Sequence, residues 1–143
     1  MTYWDSSALV PLVVDESSTA RMRELLSADP DVTTWIWTRT EVISAIERRV
    51  RQGLILAPER RPVLGRLDDL AAGWDEVTEI LAVRARANAL LARHPLRAAD
   101  AGQLGAALQV REQTGAGLPF VTRDRRLALA AEREGFEVLD VGD

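Results

Sequence analysis

Apolar and polar positions follow two alternating rhythms along this chain. A short β-prone stretch, residues 2 to 4, runs into Asp5 and two serines before an apolar run begins, which is the pattern of strand, polar turn and helix start. From 17 to 30, Met22, Leu25 and Leu26 recur at helical spacing and the run stops at Asp29-Pro30. Residues 31 to 37, "DVTTWIW", are β-branched and aromatic and predict a second strand. Val42, Ile43, Ile46 and Val50 then predict a helix over 38–53, closed by Gly53. Two more helical patterns span 58–72 and 78–93, with "GWDEV" between them as a short strand. Helix resumes from 94 to about 113 and breaks at "TGAG". "LPFVT" (118–122) reads as a buried strand, 124–135 as a helix ending at Gly135, and "FEVLDV" (136–141) as a last strand.

Strands that alternate with helices predict an α/β fold with a mostly parallel sheet covered on both faces. The stretch between 38 and 117, with little strand in it, reads as a long crossover excursion. No compositional break interrupts the 143 residues, so one domain over 1–143 is expected.

One residue sits badly in this pattern. In "HPLRAADAGQLGAAL" (94–108), winding at about 3.6 residues per turn puts Asp100 in one row with Leu96, Leu104 and Leu108, the row that should face inward. An ionised group there is costly unless it is paired or coordinated.

Composition narrows what it can be for. The chain has no cysteine and one histidine, His94, and all 18 of its basic residues are arginine. Disulfides, thiolate catalysis, cysteine-ligated zinc and two-histidine nuclease chemistry are thereby excluded. So are the P-loop lysine, Schiff bases and a serine–lysine pair. No apolar run approaches the roughly 20 residues of a membrane span, and no leader is apparent, so a cytoplasmic protein without membrane attachment is expected. What remains is carboxylate, hydroxyl and arginine chemistry, with or without a metal.

Three more carboxylates occupy related places. In open parallel sheets, ligands collect at the carboxyl ends of strands. Asp5 ends the first strand, Asp124 lies two residues past Thr122, and Glu41 and Asp100 fall in the first turns of helices, so all four can face one sheet edge. Each has a structural explanation as well. Asp5 and Asp124 fit N-caps, Glu41 fits a capping box with Thr38, and Asp100 can pair with Arg97. Convergence, however, has a cost, since two unit charges about 4 Å apart repel by roughly 1 to 4 kcal/mol in effective dielectrics of about 80 to 20. A divalent cation reverses that penalty, and an all-oxygen site suits Mg²⁺ or Mn²⁺, ions able to activate water and neutralise charge on a phosphodiester. The net charge of −4 looks wrong for a nucleic-acid binder, but setting the four acids aside leaves the rest of the chain neutral.

The segments "YWDSSALV", "TRTEVISAIERR", "HPLRAADAGQLGAAL" and "FVTRDRRLALAAEREGFEVLD" together resemble the PIN domains, and among them the VapC-type toxins of toxin–antitoxin pairs. The resemblance runs in order along nearly the whole chain. It implies a three-layer α/β/α fold with four to five strands, and a Mg²⁺- or Mn²⁺-dependent endoribonuclease neutralised by a cognate VapB-type antitoxin. Asp5, Glu41, Asp100 and Asp124 match the family's four acidic positions as catalytic and metal-binding residues. Thr122 matches its hydroxyl, orienting water or the last carboxylate. Ser6 and Ser7 match the polar pair after the first Asp, with Ser7 as a helix cap or a bond to a site carboxylate. Gly102 and Gly105 depart from the family's larger apolar residues and alanines, which predicts a looser helix. A homodimer is implied too, with helices in 17–72 as its interface.

Hydrolysis by activated water should leave a 5′-phosphate and a 3′-hydroxyl, because attack by the RNA's own 2′-hydroxyl normally uses a histidine or lysine acid–base pair that this chain lacks. Arg48, Arg49, Arg123 and Arg125 flank the acids in sequence and suit bidentate phosphate contacts, although such runs also serve as solvated helix faces. Trp4, Trp35, Trp37 and Trp74 could stack on unpaired bases, Trp4 and Trp35 fitting the core better. His94, before a proline, reads as a loop or helix-end residue. An alternative is a phosphotransfer domain with Asp5 as acceptor, or a non-catalytic module on the same fold.

Overall fold

A computed structural model of the protein describes residues 1–115 and 117–139. Its elements follow in chain order: β1 (Thr2–Trp4), α1 (Ser6–Val13), α2 (Thr19–Ala28), β2 (Val32–Trp35), α3 (Thr38–Arg51), α4 (Ala57–Gly73), β3 (Asp75–Val77), α5 (Ile80–Arg93), α6 (Ala98–Thr114), β4 (Phe120–Val121), α7 (Arg125–Arg133) and β5 (Val138–Leu139). The five strands form one parallel sheet in the order β3-β2-β1-β4-β5. The predicted excursion is therefore two crossovers, and "GWDEV" contributes the edge strand β3 next to β2.

Side chains of successive strand residues point to opposite faces, and β1 uses that alternation to hold two cores apart. Trp4 joins Leu9, Met22, Ile46 and Leu67 in a core built with α1–α4. Tyr3 faces the other way, stacked on Phe120 with ring centroids 5.2 Å apart, in a core with Leu90, Leu104 and Leu127 from α5–α7. These two cores make the three-layer α/β/α arrangement predicted above.

Two local readings change. The helix expected from 94 begins at Ala98, because Pro95 disfavours the helical region for His94, which caps α5 in an extended conformation (φ −135, ψ 147). Leu96 therefore lies ahead of the helical row of Asp100, not on it. The second concerns Gly105, whose missing side chain admits the neighbouring helix. A Cβ there would stand 3.1 Å from the Val83 carbonyl oxygen and 3.3 Å from the Ala87 nitrogen, so α5 and α6 meet almost backbone to backbone. Of the predicted last strand, Val138–Leu139 is strand and residues 140 and 141 lie outside the described residues.

The chain builds the sheet outward from β1 in one direction as far as β3, then returns to add β4 and β5 on the other side. The order of strands thus reverses between β1 and β4. In open α/β sheets such a switch point leaves a crevice at the carboxyl ends of the strands, where ligands bind. The residues that follow β1 and β4 are Asp5 and the Thr122–Asp124 turn.

Candidate functional site

All four predicted acids stand at the N-terminal ends of helices. Asp5 caps α1 and Asp124 caps α7, each side chain accepting a helix N–H, from Ser7 and Leu127 respectively. Glu41 and Asp100 lie in the first turns of α3 and α6. The positive ends of these helix dipoles favour carboxylates, so the capping and site readings describe the same residues. The capping box is not formed, however. Thr38 turns inward, fully buried, and its hydroxyl bonds to Thr34 (2.8 Å) and Gln103 (2.9 Å) instead.

Asp5 is the most enclosed of the four, 3% exposed. Its Oδ2 accepts from the hydroxyls of Ser7 (2.5 Å) and Thr122 (2.8 Å) and from the Ser7 N–H (3.3 Å). Those hydroxyls in turn accept the backbone N–H groups of Arg123 (2.8 Å) and Asp124 (3.0 Å). The turn after β4 is thereby tied to the turn after β1 across the switch point. Thr122 thus orients the first carboxylate and the backbone of the last, and its full burial leaves it no exposed face for water. Ser7 bonds the site carboxylate as predicted. The Ser6 hydroxyl bridges the gap to the next acid, 2.9 Å from Glu41 Oε2 and 3.3 Å from Asp5 Oδ1.

The carboxylates influence one another. Burial, with the Asp5 and Asp100 charges adding to it, lifts Glu41 to about 7, against bonds from Ser6 and Gln103 that favour its charged form. Asp100 is raised by burial first and then by the charges of Asp124 and Asp5, and Arg97 offsets these least. Asp5 is raised by burial, with a smaller push from Asp124. At Asp100 the negative charges of Asp124 and Asp5 thus outweigh the positive charge of Arg97.

Among the described residues, no three His, Cys, Asp or Glu side chains form a ready-made metal cage. The donor set nonetheless fits a hard divalent cation. It consists of carboxylate oxygens only, on the positive ends of four helices, and Asp5, Glu41 and Asp100 are held toward protonation by burial and neighbouring negative charge, both of which a cation relieves.

Gln103 carries a role that its sequence position did not reveal. It is fully buried one turn after Asp100. Its Oε1 accepts from the Tyr3 hydroxyl (2.7 Å), while its Nε2 donates to Thr38 (2.9 Å) and to Glu41 Oε1 (3.2 Å). The amide thus holds one oxygen of Glu41 while Ser6 contacts the other. A buried amide whose groups are all engaged is rigid, and the sequence signal for it was only a polar residue on an inward position of α6.

Beside the acids lies a cleft of about 690 Å³, whose walls include Ser6, Glu41, Trp37, Arg48, Arg97 and Arg123. The four arginines singled out by sequence separate here. Arg48 and Arg123 line the cleft. Arg49 also borders it, bonded to Glu16 (2.8 Å) and to the Ala45 carbonyl (3.1 Å). Arg125 is exposed at the start of α7 and is not among the cleft's walls. Arg97, at the N-cap position of α6 just ahead of Asp100, lines the cleft as well and was not among the arginines singled out. His94 bonds Glu134 through Nε2 (2.7 Å) at the end of α5 and takes no part in the site.

Metal-free protein is expected to lose stability as pH rises from about 5 to about 7.5. Glu41 binds its proton more tightly folded than unfolded, so its contribution is complete below its ordinary value and is lost as pH climbs through about 7. Allowing for solvent screening, the loss should be about 1–2 kcal/mol, or roughly 3–8 °C in Tm. Thermal melts in EDTA read it directly. Glu41→Gln should flatten the slope, and an unchanged slope in that variant would show that Glu41 is not its source.

The profile of the family described as PIN domain matches residues 2–133 of the chain. No curated protein matches it significantly.

Proposed function

The chain belongs to the PIN domain family, a family of metal-dependent nuclease domains, and from that premise we propose that it is a Mg²⁺- or Mn²⁺-dependent endoribonuclease toxin held in check by a cognate VapB-type antitoxin. The observation that carries the nuclease part is the placing of Asp5, Glu41, Asp100 and Asp124 at four helix N-termini, with Ser6 bridging Asp5 to Glu41 and Thr122 joining Asp5 to the Asp124 backbone at the switch point of the sheet. The toxin role, the antitoxin and a homodimer rest on the sequence resemblance to VapC-type proteins.

In this reading Asp5, Asp100, Asp124 and Glu41 would hold the cation. A cation bound there supplies charge neutralisation for the scissile phosphodiester and activates water for in-line attack. The chain's own residues do the rest. Ser7 and Thr122 hold Asp5 in a single orientation, while Gln103 and Ser6 do the same for Glu41. Arg48, Arg97 and Arg123 border the cleft where the RNA backbone would lie. The phosphotransfer alternative is not favoured by the geometry, because Asp5 is enclosed and its Oδ2 is engaged by three donors.

Purified protein incubated with RNA should cleave it in Mg²⁺ or Mn²⁺, fall silent in EDTA, and leave 5′-phosphate and 3′-hydroxyl ends. Asp100→Asn should be inactive under the same conditions. Cleavage that persists in EDTA, or 2′,3′-cyclic phosphate products, would rule out the mechanism. Co-expression with a small neighbouring-gene product that abolishes cleavage is the test of the antitoxin; failure of any such product to inhibit would remove that part alone.

A further inference from the structure

The four tryptophans do four different things. Trp4 is fully buried in the core, and Trp74 is 8% exposed with its Nε1 donating to Glu76 (3.2 Å). Trp35 is half-buried beside α6, its Nε1 3.5 Å from the place a Cβ on Gly102 would take. Trp37 alone of the four is open to solvent, 58% exposed. It holds the N-cap position of α3 yet makes no side-chain cap, where Ser, Thr, Asp or Asn would serve the helix better. Helix stability therefore does not account for an indole at this position.

Its surroundings suggest what does. The Trp37 carbonyl accepts the Glu41 N–H (3.1 Å), so the indole and that carboxylate rise from the same first turn. Both line the cleft, and Arg48, Arg97 and Arg123 line it with them. An aromatic face beside arginines alternates a stacking surface with phosphate ligands, as a single strand of nucleic acid alternates bases with phosphates. A duplex keeps its bases stacked on one another and offers no free face to the indole.

We propose that Trp37 is a stacking platform for an unpaired nucleobase next to the scissile phosphate. The proposal rests on the nuclease reading above for the location of that phosphate, but its test does not depend on cleavage. The Asp100→Asn protein is used as the background so that binding is read without turnover. The probes are a fluorescein-labelled unstructured oligoribonucleotide and the same strand annealed to its complement, followed by anisotropy.

Trp37→Leu should weaken binding of the single strand by about 10- to 100-fold, the loss expected for one base–aromatic stack. Trp37→Phe, which keeps an aromatic face, should retain most of the affinity, and duplex binding should be the same in all three proteins. Unchanged melting temperatures would show that both variants fold. Single-strand affinity within about threefold of the parent in Trp37→Leu overturns the proposal, as does an equal loss for duplex and single strand. Absence of binding to either probe also overturns it. If Trp37→Leu shows the expected loss while the wild-type protein fails to cleave in Mg²⁺ or Mn²⁺, the stacking site stands and the nuclease reading falls.

Discussion

Asp5→Asn is expected to lower RNA cleavage by roughly a thousandfold or more while leaving the protein folded and at least as stable as the parent. The two effects separate because Asp5 does two jobs. As the cap of α1 it needs only an acceptor oxygen for the Ser7 and Thr122 donors, and the amide oxygen of Asn supplies one. As a member of the acid cluster it needs its charge, which Asn lacks. Removing that charge also relieves the burial penalty and the push from Asp124. Rates at saturating Mn²⁺ and melting curves in EDTA measure the two jobs independently. Activity within tenfold of the parent would exclude Asp5 from the chemistry. A fall in Tm would mean that the carboxylate is held for shape instead. Asp5→Ala makes the useful contrast, because it removes the cap as well and should cost about 1 kcal/mol or more of stability.

The second large effect is purely structural. Gly105→Val should destabilise the fold by about 2–4 kcal/mol, a fall of roughly 6–15 °C in Tm. The added carbons meet the backbone of α5 at Val83 and Ala87, not the movable end of a side chain, so relief requires the two helices to separate. That displacement would propagate along α6, whose first turn carries Asp100. Gly102→Ala is the counterpart on the same helix. Its Cβ would lie at an ordinary 3.5 Å from Trp35, and the gain in helix propensity should stabilise by up to about 1 kcal/mol. If both substitutions prove equally harmless, the close packing of α5 on α6 is not what holds this layer.

The parts of this molecule legible in its sequence are those governed by neighbours along the chain. Periodicity located the strands and helices because a core-facing stripe repeats locally. The acids were visible because each falls at a strand end or in a first helical turn, where position alone predicts which edge of the sheet it faces. What escaped depends on residues distant in sequence. Gln103 looked like an ordinary helix polar residue, and only the fold brings Tyr3 and Glu41 to its two ends. Arg49 and Arg48 are adjacent in sequence, yet Glu16 engages the first and the cleft takes the second. Gly105 read as looseness because the spacing of its partner helix is invisible in a one-dimensional string.

The caps at Asp5 and Asp124 also bear on how this protein can change over generations. An aspartate codon becomes an asparagine codon by a single base substitution, and asparagine caps a helix about as well as aspartate does. One point mutation can therefore remove a charge from the acid cluster and still leave the helix cap, and with it the fold, in place. Under the proposed function, a lineage burdened by the activity would have a short route to losing it without accumulating misfolded protein.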